Sequence, residues 1–254
     1  PARYTSLNCA TGVYIYYVDA DDSIEPHTLE CLVNEINHKG LDIVGHEWYL
    51  TFNSNARYMK QPAYTTSVEA LRKMMGGVIR WNLWLFLVRR SLYVENDIRF
   101  TEGLNMGEDM MVMMKLFICA GKVGIFHRPF YHYRQSNPES LTKIYSQEHI
   151  IQVANNVYEV EKYVNASAYA DSLIEFIPFL KLNIKLPLLI TDDKSHYEQW
   201  LECFPEANCY VMNNKLLPLR TRIIQWMAVK RYFILLRLYY RTVFKLVYGI
   251  IFKY

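Results

Sequence analysis

The sequence has no C-x-x-C pair, no H-x-x-x-H spacing, no glycine-rich phosphate loop and no serine or cysteine nucleophile elbow. Its five cysteines (Cys9, Cys31, Cys119, Cys203, Cys209) are scattered and odd in number. That argues against a disulfide framework or a thiolate zinc site and fits a reducing cytosol. No internal repeat or low-complexity tract interrupts the 254 residues, a length that suits one large domain or one domain with an appendage. No secretory signal opens the chain. It starts at Pro1 without a Met and in mid-pattern, so a fragment of a longer protein is the expectation.

Acids are missing from one end. Residues 215–254 hold nine of the 28 Lys and Arg and no Asp or Glu. The remainder keeps 19 basic against 25 acidic residues, a body of about −6 with a tail of +9. The longest uncharged apolar run of the tail, Leu246–Phe252, falls far short of the about 20 residues that span a bilayer. On a continuous helix Lys230, Arg237, Arg241 and Lys245 share a narrow wedge, with Arg220 and Arg231 to one side and aromatic and aliphatic residues elsewhere. The tail is therefore expected to lie on an anionic membrane surface, with packing on the acidic body as the bland alternative. No nucleic-acid recognition motif accompanies the charge.

What is present is organised around Gly12–Asp22. A glycine opens a run of aromatic and β-branched residues that reads as a buried strand. The run stops at three carboxylates, Asp19, Asp21 and Asp22. Such acids repel one another unless something positive lies between them, and a divalent cation with a phosphate ligand is the common solution. In an extended segment Asp19 and Asp21 point to one side, leaving Asp22 to cap the turn or the next helix. The bland reading is a solvated acidic turn.

Further along, a helix is expected over His27–His38, capped by Gly40, and a strand over Leu41–Leu50. Phe52–Tyr64 reads as loop and Ser67–Met75 as a helix closed by Gly76-Gly77. Trp81–Tyr93 reads as helical or irregular, and Glu95–Phe100 as an edge strand. Gly107–Ala120 is an apolar helix opening with Glu108-Asp109, acids well placed at a helix N-terminus. Its methionines, Met110 to Met114, read as core filler. Lys122–Phe126 and Pro129–Arg134 read as short strands, and Ser146–Val164, Ser167–Lys185 and Lys194–Cys203 as helices. Strands early and helices late predict an α/β fold, a mixed sheet followed by a helical C-terminal extension. The segments divide as 1–145, 146–214 and 215–254.

Four features then fall in a fixed order: Tyr14–Asp22 (YIYYVDADD), Trp84–Arg90 (WLFLVRR), Phe100–Met110 (FTEGLNMGEDM) and Pro129–Thr142 (PFYHYRQSNPESLT). In this order the sequence resembles the family 2 inverting glycosyltransferases of the GT-A fold, over roughly residues 2–142. Ala2-Arg3-Tyr4 sits where that family usually has Ala-Arg-Asn. The family's first strands, which hold the nucleotide base and ribose, have no counterpart after Pro1, so the likeness is to its C-terminal two-thirds.

The resemblance implies a sugar moved from a nucleotide-diphosphate donor to a hydroxyl on a glycan or lipid-linked acceptor, in surface polysaccharide synthesis at the inner face of the cell membrane. Asp19 and Asp21 match the Asp-x-Asp motif, with Asp21 implied as ligand of Mn²⁺ or Mg²⁺ and Asp19 nearer the ribose or a metal-bound water. Asp22 and Arg3 belong with the donor site. Asp109 is implied as general base beside Glu108, the alternative being two acids that merely stabilise a helix start. Tyr133, Arg134 and Ser140 match the closing segment, and Arg134 suits a donor phosphate or a plain surface role. His132 is either a second metal ligand or a packed side chain. Trp81 and Trp84 are candidates for an acceptor platform, or for core. Two other readings stay open: a non-catalytic membrane-binding module, and another metal-dependent phosphoester enzyme.

Overall fold

A computed structural model describes residues 2–101, 103, 106–135 and 147–248. Ser140, Thr142 and the Leu246–Phe252 side chains, all named above, lie outside the described residues. The chain divides into two compact units, Pro1–Met74 with Ile79–Ile174 and Met75–Val78 with Glu175–Tyr254.

In the first unit, α1 (Ala2–Cys9) leads into β1, which is only Tyr14–Ile15. After β2 (Ser23–Ile24) comes α2 (Thr28–Lys39). This helix ends where Gly40 takes a left-handed φ of 60°, a conformation that costs glycine little. Next are β3 (Ile43–Thr51), β4 (Ala56–Met59) and α3 (Ser67–Met75, whose last residue enters the second unit). A short turn of helix at Leu83–Leu85 feeds β5 (Phe86–Arg89), followed by α4 (Arg90–Glu95) and α5 (Glu108–Cys119). β6 is one long strand, Val123–Arg134, and α6 (Gln147–Asn165) and α7 (Ala170–Leu173) complete the unit.

The sheet order is β1-β5-β3-β6-β2, with β4 added to the outer half of β3. Only β3 and β6 run parallel; the other pairs are antiparallel. α2 covers one face, burying Leu32 and Ile36 against Val44, Leu87 and Phe130. α5 buries Met110, Met111, Met113, Met114, Leu116 and Phe117, so it is a core helix on nearly every side. His46 is fully buried in β3 and satisfied: Nδ1–H donates to the Glu47 carbonyl at 2.7 Å and Nε2 accepts from the Tyr16 hydroxyl at 2.9 Å. Burial pushes its pKa down to about 4, so the ring is neutral.

Four sequence expectations change. The strand expected through Val18 is two residues long, and Asp19–Asp22 is a turn closed by Asp22 N–H donating to the Asp19 carbonyl at 3.1 Å. Trp81–Tyr93 contains a central strand, because β5 is buried on both faces and shows no alternation. The loop expected over Phe52–Tyr64 contains β4. Glu95–Phe100 is no strand; Asp97 turns it with a φ of 48°.

In the second unit, α8 (Ile177–Lys185), α9 (Lys194–Glu202), α10 (Leu219–Val229) and α11 (Phe233–Tyr239) follow in order, and a π-helix runs over Tyr240–Tyr248. The expected helix over Ser167–Lys185 is thus broken at Ile174–Phe176, at the junction of the units. The single basic wedge is also lost. Lys230–Tyr232 interrupts the helix, Arg231 sitting at a φ of 56°, so Lys230 and Arg237 belong to different helical segments. No helix among the described residues is long and apolar enough to cross a membrane.

Candidate functional site

Arg3, on α1, reaches three carboxylates. Its Nη2 donates to Asp19 Oδ1 at 3.1 Å, its Nη1 to Glu108 Oε1 at 2.9 Å, and Nη1 also to Asp109 Oδ1. Residues 16 and 106 positions from Arg3 therefore face each other across one guanidinium group and a hydrogen bond on either side. Burial disfavours the charge on Arg3, but Asp109, Glu108 and Asp19 more than offset it.

Local structure fixes each acid. Gly107 precedes α5 with a φ of 83°, a backbone turn that brings Glu108 and Asp109 to the helix N-terminus. Asn156 of α6 holds that turn, its Nδ2 donating to the Met106 carbonyl at 2.7 Å. Asp109 Oδ2 accepts from the Leu83 backbone N–H at 3.3 Å, so both its oxygens are aimed. Glu108 and Asp109 keep 18 % and 17 % of their side-chain surface exposed, enough for a ligand atom to touch them. Burial pushes Glu108 up to about 7, with the Asp109 charge adding to it. Burial raises Asp109 as well, while Arg3 and the Leu83 N–H pull the other way.

The acidic turn is tied to the sheet by Tyr131 of β6. Its hydroxyl accepts from the Asp19 backbone N–H at 3.0 Å and donates to Asp22 Oδ2 at 2.8 Å. The Arg134 backbone N–H donates to the other Asp22 oxygen at 2.7 Å. Asp22 thus ties down the turn, one of the two roles expected of it from spacing, and does not cap α2. Asp21 is exposed at the tip of the same turn. The Arg134 side chain is also exposed.

Trp84 does not offer a face to a sugar. It is 3 % exposed and stacked between Tyr131, at 4.3 Å, and Tyr133, at 5.5 Å, with Trp48 edge-on. Trp81 is half-buried. Both His132 nitrogens are engaged, by Glu25 at 2.9 Å and Thr51 at 3.2 Å, and the ring stacks on Tyr49. His132 is accordingly a packed side chain.

Sequence reasoning missed Tyr131 and the Leu83 N–H. It also missed Tyr17, whose hydroxyl is pushed up to about 12, first by burial, with the charges of Arg3 and Asp109 acting on it. Tyr131 stands two positions before Tyr133 in the same motif, which was the available signal. A backbone N–H has none.

Residues 1–117 match the family model Glycosyl transferase family 2. A Bacillus subtilis protein called uncharacterized glycosyltransferase EpsJ is 30 % identical over 150 residues, 56 % of this chain and 43 % of that protein. The cholesterol galactosyltransferase of Borreliella burgdorferi is 31 % identical over 144 residues, 51 % of this chain and 40 % of its own length. The chain thus spans less than half the length of these two relatives. Among solved structures, Staphylococcus aureus TarS 1–349 in complex with UDP-GlcNAc superposes with a TM-score of 0.63 at 16 % identity, over 94 % of this chain and 70 % of that one. That likeness is one of fold. The first 117 residues are thus similar to glycosyl transferase family 2, and the chain shares a mixed α/β fold with TarS.

Proposed function

We propose that this chain carries the catalytic base and the metal-binding turn of an inverting glycosyltransferase that uses a nucleotide-diphosphate sugar. The observation that supports it most is the Arg3 bridge, which ties Asp19 of the turn and Asp109 of α5 to one guanidinium group. Residues 1–145 would do the chemistry, 146–214 form a helical extension, and 215–254 deal with the membrane.

In this reading Asp109 accepts the proton of the acceptor hydroxyl as that oxygen attacks the anomeric carbon. The bond from that carbon to the diphosphate breaks, and its electron pair leaves with the nucleoside diphosphate, inverting the centre. Each Asp109 oxygen has a second lone pair beyond its present bond. Glu108 keeps Arg3 in register, and Arg3 and the helix N-terminus favour the ionised form of Asp109 against the burial that raises its pKa.

The donor atoms at the turn are carboxylate oxygens without thiol or imidazole, which suits Mg²⁺ or Mn²⁺. Among the described residues no three His, Cys, Asp or Glu are grouped so as to hold a metal ion by themselves, so Asp21 and Asp19 would hold such an ion together with the donor. Bound there, the ion neutralises the charge growing on the diphosphate. Arg134, whose backbone N–H bonds Asp22 and whose side chain is exposed, would pair with the same phosphates. The acceptor would be a hydroxyl of a glycan or lipid-linked glycan at the inner face of the cell membrane.

The test is transfer from UDP- and GDP-sugars by the full-length protein with Mn²⁺ or Mg²⁺. Asp109→Asn should lower turnover by about 10²–10⁴-fold with donor binding retained, and Asp21→Ala should abolish metal-dependent binding of the nucleoside diphosphate. Normal turnover in both variants sinks the assignment.

A further inference from the structure

The two helices of the basic tail each carry apolar side chains on two opposite faces. On α10, Ile224, Gln225 and Ala228 are buried. Leu219, Ile223 and Trp226 recur at helical spacing on the other side and are 55 %, 41 % and 38 % exposed. On α11, Leu236 is buried, whereas Ile234, Leu235 and Leu238 are 84 %, 49 % and 57 % exposed. Trp226 meets Tyr232 edge-on at 5.7 Å, so the outer stripe of α10 continues into the start of α11. The inner faces already account for the packing of these helices. The outer stripe has no such use, and an isolated fold gains nothing from a surface Ile that is 84 % exposed.

Its borders are cationic. Arg220 and Arg222 flank the α10 stripe on either side, and Arg237 flanks that of α11. Lys215, Arg220, Lys230 and Arg237 are exposed and form no ion pair among the described residues, while Arg231 pairs with Glu198 and Arg241 with Asp192. No acid occurs from residue 215 onward. A protein partner would have to match an apolar band rimmed by one sign of charge. An anionic lipid surface matches it without any specific shape, since long basic side chains reach the headgroups while the band enters the acyl boundary.

We infer that α10 and α11 together form a bipartite membrane-docking face that lies flat on an anionic bilayer, with Trp226, Ile234, Leu235 and Leu238 inserted. The break at Lys230–Tyr232 makes this face two short helices that can each settle at the interface, in place of the one long amphipathic helix read from the sequence. The inference names the partner of the tail and does not depend on the transfer chemistry.

The probe is flotation of the full chain with vesicles of phosphatidylcholine alone and of phosphatidylcholine with 30 % phosphatidylglycerol. The expected result is recovery with the anionic vesicles only, weakened by salt. The triple variant Ile234→Ser, Leu235→Ser, Leu238→Ser, which changes exposed positions only, should lose at least tenfold in partitioning, and Arg220→Glu with Lys230→Glu should do the same. Asp109→Asn should float as the unchanged chain does, which separates this test from the one for transfer. Three results overturn the inference: failure of the unchanged chain to float with anionic vesicles, undiminished flotation of the triple variant, and a dimer in solution that the triple variant converts to monomer.

Discussion

Each unit of the molecule half-buries or buries a cation, and the two are held in opposite ways. Arg3, 29 % exposed, sits among the carboxylates of Asp19, Glu108 and Asp109. Lys185, 2 % exposed, faces no carboxylate at hydrogen-bond distance among the described residues. Its Nζ donates to the carbonyls of Trp200 at 3.1 Å, Cys203 at 2.6 Å and Phe204 at 3.3 Å, and to Asn208 Oδ1 at 2.6 Å, above the face of Trp200. Burial lowers its pKa to about 8. Lys185 therefore closes the C-terminal end of α9, gathering carbonyls that the helix leaves without partners. It is a structural cation. Arg3 compensates acids that outnumber it, and all four side chains stay partly exposed, so a ligand can touch and rearrange them. The contrast teaches that the company of a charge says more about its role than its burial does.

The largest expected effect breaks this comparison on the structural side. Lys185→Met leaves four oxygen acceptors without their donor and should cost about 3 kcal/mol, read as a lower denaturation midpoint of the second unit. Arg3→Met should leave that midpoint nearly unchanged. Its expected loss is roughly 10–100-fold in transfer by the full-length protein, the worth of one or two charge-assisted hydrogen bonds. If Arg3→Met unfolds the chain while Lys185→Met does not, the division into a site cation and a structural cation is wrong.

A smaller effect concerns pH. Glu108 is pushed up to about 7 by burial, against an ordinary value of 4.5. The folded chain therefore takes up a proton there that the unfolded chain does not, throughout the window from about 7 down to 4.5. Stability from this group is complete below that window and is lost as pH rises through it. With part of the carboxylate in water, the swing should be about 1–2 kcal/mol. Glu108→Gln should flatten the dependence, seen by comparing denaturant midpoints at pH 5 and pH 8. An equally steep dependence in the variant would place the proton elsewhere.

Much of this arrangement was legible in the residues. Gly40 and Gly107 mark a helix end and a helix start because each takes a positive φ, and Glu108-Asp109 stand where a helix dipole favours acids. β5 was not legible, since Phe86–Arg89 is buried on both faces and a short apolar run carries no period. The tail was read as one helix because wheel geometry assumes a continuous backbone, and nothing in the residue pattern announces the positive φ of Arg231. At the site, the acids were legible by type and order. Their coupling through Arg3, and the Leu83 N–H that aims Asp109, were not, because a long side chain's reach and a backbone donor leave no spacing to read.

The smallest effect tests how far the turn depends on its one tyrosine. Tyr131→Phe keeps the ring stacked on Trp84 and removes only the hydroxyl, which now accepts from the Asp19 N–H and donates to Asp22. Asp22 still accepts from the Arg134 N–H, so the turn keeps one of its two ties to β6. The expected loss is about 1 kcal/mol of stability in all, two ordinary hydrogen bonds at the low end of their net value. Because Asp19 and Asp21 ride on this turn, affinity for the metal–diphosphate pair should weaken several-fold while the Asp109-dependent step keeps its rate. A turnover loss as large as that of Asp109→Asn would mean that Tyr131 touches the reacting atoms themselves and is more than a brace for the acids.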